Sequence, residues 1–177
     1  MTTNQNYFSL FAIPVTYDID LSELTRRYRD LQKAVHPDKY ASHSEQERLG
    51  AVQQAATVND AFETLKSPLL RAQYLLELNG VVEDGNATIS DPEFLMQQME
   101  MRESLEEAAN KEDALTAVED SIDEIDNAYR GLIKKISEMF AAESPDYEGI
   151  SRYVRRLQFF NRLKNEAEAS LAEIEYK

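Results

Sequence analysis

Residues 20–40 read DLSELTRRYRDLQKAVHPDKY and predict one amphipathic helix that ends in a proline-containing loop. Asp20, with Glu23 three residues later, predicts an Asp-type variant of the capping box at the start of this helix. The apolar residues of the segment are Leu21, Leu24, Tyr28, Leu31 and Val35. They recur in alternating steps of three and four, which is the spacing of one buried helix face. Pro37 disfavours helical geometry in His36, so we expect the helix to end there.

Three more helical segments accompany this one in the first half of the chain. Ser44 and Glu47 predict a second capping box. We expect the helix that follows it to place its apolar face at Leu49, Val52, Ala56, Phe62 and Leu65. Ser67 and Pro68 are typical of an N-cap and the first residue of a further helix. The apolar stretch 7–13 predicts one or two helical turns near the N-terminus.

The second half of the chain has three long helical patterns after a linker. Residues 79–91 collect glycine, asparagine and charged residues without a period, which is typical of a linker. Asp91-Pro92 predicts the start of one helix, and Ser144-Pro145 predicts the start of the last. Between them, residues 112–142 carry apolar side chains in unbroken three-four steps, which favours a long helix packed against neighbours.

Together these patterns predict an all-α protein with two modules. The N-terminal module, residues 1–78, is expected to be a helical hairpin with two short helices, and the C-terminal module, residues 92–177, a three-helix bundle. Charge divides the same way, because residues 1–78 hold 8 basic and 10 acidic side chains whereas residues 79–177 hold 11 and 23. With a net charge of -14 the protein should repel nucleic acid and anionic membranes, so we expect neither as a partner.

The residue types also argue against several kinds of site. The absence of cysteine excludes disulfides, thiol catalysis and cysteine metal sites, and two histidines are too few for a histidine metal cage. No glycine-rich phosphate loop and no nucleophile–base pair stands out. No apolar run in the sequence is long enough to span a bilayer. We therefore expect a soluble, cytoplasmic, monomeric protein that is not an enzyme and that binds no metal or cofactor.

Basic side chains gather on one side of the first long helix. At about 100° per residue, Arg26, Arg29 and Lys33 lie opposite the apolar face, and Arg27 lies on its flank. In so acidic a chain this positive stripe favours a docking surface that steers a negatively charged partner. Two plainer interpretations stay open, since exposed arginine and lysine are commonly just solvated and Pro37 is sufficient to end a helix for purely structural reasons.

The helix that starts near Pro92 has more apolar perimeter than one packing seam needs. Its main face carries Phe94, Gln98, Met101, Leu105 and Ala108. A second side carries Leu95, Met96 and Met99, rimmed by Glu100 and Glu103. On the last helix, Phe159 lies about 120° from the middle of the apolar face. Methionine favours adaptable binding surfaces, so these residues predict an exposed partner site, although a helix with two neighbours is also able to bury such a wide arc.

Several of these segments together resemble the J domain and the bacterial HscB family. The J-domain likeness covers about residues 5–78. It rests on His36-Pro37-Asp38 between two amphipathic helices, on YFSLF (7–11) ahead of them and on NDAFETL (59–65) in the second. The likeness to HscB proteins covers nearly the whole chain and rests on SPLLRAQYLL (67–76), FLMQQMEMRE (94–103) and VRRLQFF (154–160).

The resemblance implies a co-chaperone with two binding surfaces. The residues implied to contact a DnaK/HscA-type ATPase chaperone, and to stimulate its ATP hydrolysis, are His36, Pro37, Asp38, Arg26, Arg27, Arg29 and Lys33. The residues implied to bind an IscU-type iron–sulfur scaffold protein are Leu95, Met96, Met99, Glu100, Glu103 and Phe159, with Met at position 99 where leucine is common in the family. Two alternatives remain open: a J-domain co-chaperone for a different client, and a helical scaffolding protein without a chaperone role.

Overall fold

The structure is a computed structural model that describes residues 6–36, 44–81 and 91–176. Every regular element in these ranges is an α-helix, so the predicted fold class is confirmed. The chain divides into two compact units between Leu78 and Asn79, which we call unit 1 and unit 2 in chain order. None of the helices in the described residues is long and apolar enough to cross a membrane.

Unit 1 is built from four helices within the described part of the chain. They are α1 (Tyr7–Leu10), α2 (Leu21–Val35), α3 (Glu45–Lys66) and α4 (Pro68–Leu78). The predicted N-caps are present. Asp20 Oδ1 accepts hydrogen bonds from the backbone N–H groups of Ser22 (2.8 Å) and Glu23 (3.1 Å). Ser44 and Glu47 form the reciprocal capping box in full, which gives α3 a defined start.

The apolar face of α3 differs from the one that the sequence predicts. Leu49 and Val52 are exposed, and so is Ala56. The buried residues are Ala51, Val58, Ala61, Phe62 and Leu65. One straight helix must keep the same three-four phase along its length, and only the series through Ala51 and Val58 continues in phase with Phe62 and Leu65. The prediction therefore chose the larger side chains of the first turns although they lie on the outer side.

The short helices of unit 1 are joined through aromatic contacts. The rings of Tyr7 and Tyr74 stack with their centroids 4.6 Å apart, and the Tyr7 backbone N–H donates to the Tyr74 hydroxyl oxygen at 2.9 Å. Arg71 of α4 is buried, donates to the Leu65 carbonyl at 2.6 Å and lies over the Tyr17 ring. Its burial lowers the pKa of the guanidinium. These contacts fasten α1 and the loop before α2 onto α4.

Unit 2 is a bundle of three helices that all pack on one another: α5 (Pro92–Ala109), α6 (Ala114–Phe140) and α7 (Tyr147–Glu175). Its core is a continuous cluster of buried residues, Phe94, Leu105, Ala108, Val118, Ile125, Phe159, Phe160, Leu163 and Ala167. Helix α7 begins two residues later than predicted, because Asp146 and not Ser144 is the N-cap. Asp146 Oδ1 accepts from the Gly149 N–H at 2.9 Å, and a Cβ at Gly149 would collide with that carboxylate.

Candidate functional site

The outer side of α2 presents the predicted basic residues. Arg26, Arg29 and Lys33 are exposed. With Leu21, Ser22, Thr25 and Asp30 they line a shallow depression of about 500 Å³. Arg29 and Lys33 form no ion pair with any residue that the structure describes, so their charges face solvent. This surface is suited to long-range attraction of an acidic partner.

Glu23 partly neutralises the start of this surface. Its carboxylate accepts hydrogen bonds from Arg26 Nε (2.9 Å) and Nη2 (2.7 Å) and from Arg27 Nε (2.6 Å). The hydrogen bonds from Arg26 and then Arg27 are the main reason that the pKa of Glu23 falls to about 2, and the same pairing raises the pKa of Arg26. Arg26 also lies 3.6 Å from Asp30. The uncompensated positive charge on α2 is therefore concentrated toward its C-terminal end.

Arg27 has a contact within the fold that the sequence did not reveal. Its Nη1 donates to the carbonyl oxygens of Phe11 (2.8 Å) and Ala12 (2.7 Å), in the turn that follows α1. Ala12 has φ 51°, in the left-handed region that costs energy for a residue with a Cβ. Arg27 thus stabilises a strained turn of unit 1, and its predicted contact with a chaperone stays a prediction.

His36 follows the last residue of α2 and is exposed. Its backbone has left helical geometry, with φ -59° and ψ 126°, as expected for the residue before Pro37. It comes three residues after Lys33, so it directly follows the basic surface along the chain. Pro37 and Asp38, the other two residues of the predicted chaperone contact, lie outside the described residues.

The second predicted surface, on α5, is exposed in the structure. Leu95, Met96 and Met99 are 42%, 64% and 73% exposed, and we call these three residues the α5 patch. Glu100 and Glu103 beside them are also exposed. The opposite side of α5 is the buried one, with Phe94, Leu105 and Ala108 in the core. The alternative in which the whole apolar arc of α5 is core is therefore wrong.

Phe159 does not join the exposed patch. It is only 8% exposed, and its ring packs edge-on against Phe94, at 5.7 Å, and Phe160, at 5.3 Å. Arg102 of α5 lies over the same ring, 5.8 Å from its centroid, and is 3.5 Å from Glu166. The expectation that Phe159 faces outward is wrong, because α7 packs on both α5 and α6 and buries a wider arc than one seam would. Its predicted role in binding a partner remains untested.

A cluster around Arg156 was missed in the sequence. Arg156 of α7 forms an ion pair with Asp91 through Nη2 and Oδ2, and its guanidinium lies 5.0 Å from the Phe94 ring centroid and 5.5 Å from that of Tyr153. Asp91 is the N-cap of α5, and its Oδ1 accepts from the Phe94 N–H at 3.1 Å. That backbone hydrogen bond, and then the one from Arg156, lower the pKa of Asp91. Asp91 and Arg156 are 65 residues apart in the sequence, so no local sequence pattern predicts that they pair.

Each half of the chain matches the model of a known protein family. Residues 6–74 match the family model described as DnaJ domain, and residues 90–168 match the one described as HSCB C-terminal oligomerisation domain. The chain is 42% identical over 165 residues to the co-chaperone protein HscB homolog of Shewanella amazonensis, covering 92% of this chain and 95% of that protein.

Two solved structures share the fold over most of their length. Chaperone HscB from Vibrio cholerae has a TM-score of 0.85 at 40% identity, covering 95% of this chain and 98% of that one. Human co-chaperone protein HscB has a TM-score of 0.86 at 26% identity, covering 96% of this chain and 83% of that one.

Proposed function

Because this chain belongs to the HscB family of J-domain co-chaperones, we propose that it binds an IscU-type iron–sulfur scaffold protein and delivers it to a DnaK/HscA-type ATPase chaperone. In this proposal the J domain also stimulates the ATPase of that chaperone. The observation that carries the proposal is the α5 patch, a group of large apolar side chains left exposed on a helix whose other side packs into the core.

The α5 patch has the chemistry of a docking surface for a folded client. Methionine and leucine supply apolar area that adapts to a partner, and Glu100 and Glu103 supply negative charge at its edge. A fitting partner presents an apolar ridge flanked by lysine or arginine, because the acidic rim would repel an acidic one. Phe159 lies in the core just behind α5 and supports the patch through Phe94.

The chaperone is proposed to bind at the other unit. Arg29, Lys33 and His36 are exposed at the C-terminal end of α2 and are the described part of this proposed contact, to which Pro37 and Asp38 also belong. ATP and the groups that hydrolyse it belong to the chaperone in this proposal, and the family is one of co-chaperones and not of enzymes. The chain would act by contacts that favour one conformational state of the chaperone, which is how a binding partner changes the rate of another protein.

The first experiment is a calorimetric titration of the protein with the iron–sulfur scaffold protein of the same organism. Leu95→Ala and Leu115→Ala make a matched pair, because both leucines are 42% exposed and both lie in unit 2, on α5 and α6 respectively. We expect Leu95→Ala to weaken binding and Leu115→Ala to leave it unchanged. Equal affinities of the two variants would contradict the α5 patch as the docking surface.

A second experiment separates the alternatives by measuring ATPase stimulation of the chaperone. We expect His36→Gln to abolish stimulation while the far-UV circular dichroism stays unchanged, since His36 is exposed. If stimulation occurs without any affinity for the scaffold, the chain is a J-domain co-chaperone for a different client. If the protein neither stimulates the ATPase nor binds the scaffold, the hypothesis of a helical scaffolding protein without a chaperone role gains support. We also propose that the protein works in the cytoplasm as a monomer, and sedimentation velocity at micromolar concentration tests the monomer.

A further inference from the structure

The α5 patch lies near the N-terminal end of its helix, where backbone N–H groups have no partner within the helix. Leu95 completes the first turn of α5, and Met96 and Met99 lie in the second. The first four N–H groups of any helix have no partner inside the helix, so first turns fray unless something holds them. A docking surface placed there stays ordered in the free protein only if the fold fixes that turn.

Asp91 uses its two carboxylate oxygens for two different purposes. Oδ1 caps α5 by accepting from the Phe94 N–H, while Oδ2 accepts from Arg156 of α7. The Asp91 carbonyl also accepts from the Leu95 N–H at 3.0 Å, which is the first hydrogen bond of the helix. The residue that begins α5 is therefore attached to a second helix of the bundle by a charged contact.

Arg156 holds more than the carboxylate. Its planar guanidinium lies over the ring of Phe94 on α5 and over the ring of Tyr153 one turn earlier on α7. Phe94 is 1% exposed and in turn meets Phe159 edge to face. One side chain thus connects the cap of α5, the first core residue of α5 and the surface of α7. An arginine is suited to this because its flat fork pairs with a carboxylate and stacks on rings at once.

We propose that Arg156 and Asp91 are positioning residues for the docking surface: they keep the first turn of α5 ordered so that Leu95 and Met96 are presented before the partner arrives. This inference rests on the proposed function of the α5 patch. Without the pair, the turn would have to be ordered on binding, and fixing the backbone of a single residue weakens affinity about five- to thirtyfold. The pair would then determine affinity without touching the partner.

The test compares four single variants and one double variant of the full-length chain. Arg156→Met removes the charge and keeps much of the bulk, and Asp91→Ser keeps a capping oxygen but leaves none for Arg156. Arg156→Lys keeps the charge without the planar fork. Arg152→Met is the matched control. Arg152 lies one turn earlier on α7 and pairs with Asp146, which is the N-cap of its own helix and not of α5.

Two readouts are measured for each variant: the dissociation constant for the iron–sulfur scaffold protein, and the hydrogen-exchange rate of the Leu95 amide in the free protein. We expect Arg156→Met and Asp91→Ser each to weaken binding about five- to thirtyfold, with Arg156→Lys in between and Arg152→Met unchanged. The Leu95 amide should exchange faster by a similar factor, since both readouts report the same opening of the first turn. The double variant Asp91→Ser/Arg156→Met should be no worse than either single change.

The outcomes are distinguishable. If the unmodified chain does not bind the scaffold, the proposed function fails and this inference fails with it. If it binds, and Leu95→Ala weakens binding while Arg156→Met and Asp91→Ser do not, the inference alone is overturned. Weaker binding with an unchanged Leu95 exchange rate would also overturn it, because Arg156 would then be a direct contact. Should Arg156→Met unfold unit 2, Asp91→Ser and Arg156→Lys carry the test, and wild-type affinity in both would refute it.

Discussion

Replacing Arg27 should destabilise unit 1, whereas replacing its neighbour Arg29 should not. Arg27 donates two hydrogen bonds to the carbonyls of Phe11 and Ala12 and one to Glu23. Arg29 is exposed on the same helix and makes no ion pair with the described residues. The two changes Arg27→Met and Arg29→Met remove the same charge and the same fork from one helix, so their difference isolates the contacts of Arg27.

The size of the effect follows from the geometry around Ala12. A hydrogen bond to a charged donor contributes about 1.5–3 kcal/mol when it is well shielded. The Arg27 side chain is 32% exposed, so water is able to replace part of each bond, and we reduce the sum of the two carbonyl bonds to about 2 kcal/mol. Glu23 keeps Arg26 as a partner and adds little to the loss. A surface change such as Arg29→Met is expected to stay within about 0.5 kcal/mol.

The assay is native-state hydrogen exchange, which reads the two units separately. The Leu24 N–H donates to the Asp20 carbonyl at 2.9 Å and Leu24 is fully buried, so its amide reports the opening of unit 1. A loss of about 2 kcal/mol should speed its exchange about thirtyfold in Arg27→Met and leave amides of unit 2 unchanged. Equal exchange rates of the Leu24 amide in Arg27→Met and Arg29→Met would refute the assignment of Arg27 to the fold.

Three further outcomes are expected. Lys33→Ala should weaken coupling to the chaperone more at low salt than at high salt, because exposed charges are screened; a loss of ATPase stimulation that does not vary with salt would count against steering. Met99→Leu should bind the iron–sulfur scaffold as the unmodified chain does, because the exchange nearly conserves volume, whereas Met99→Ala should weaken binding measured by calorimetry. The pKa of Glu23 is about 2 in the folded chain, below its ordinary value of 4.5, so its contribution to stability is complete above pH 4.5 and is lost as the pH falls from there toward 2. Urea unfolding of Glu23→Gln across that range should lack this part of the pH dependence, and an unchanged profile would show that the Arg26 pairing does not persist in solution.

Local patterns predicted most of the elements and the exposure of the basic residues on α2 and of the apolar residues on α5. Asp20, Ser44 and Asp91 each have an oxygen in reach of N–H groups two or three residues later, so their roles as N-caps depend only on nearby residues. The exposed side of α5 was predicted for a related reason, since three large apolar side chains lie off the phase of Phe94 and Leu105.

Three predictions failed or fell short, for three different physical reasons. On α3, the predicted series from Leu49 to Ala56 does not keep phase with Phe62. The series through Ala51 and Val58 does, and it is the buried one. On α7, Phe159 is off the central phase but is buried because two helices cover that side. The N-cap of α7 is Asp146 and not Ser144, and this difference is local, because the Asp146 carboxylate accepts from the Gly149 N–H and fills the space that a Cβ at Gly149 would need.

The sequence by itself determined the all-α class, most of the caps that start the helices and most of the exposed residues of the two proposed binding surfaces, because all of these depend on side chains within one or two helical turns. The tertiary structure alone decided which apolar arcs are covered and which arginines are committed to the fold. Arg27 reaches carbonyls 15 and 16 residues away, and Arg156 reaches a carboxylate 65 residues away. Such partners meet only when distant parts of the chain pack together. The spacing of residues within one helix therefore carries no information about these contacts.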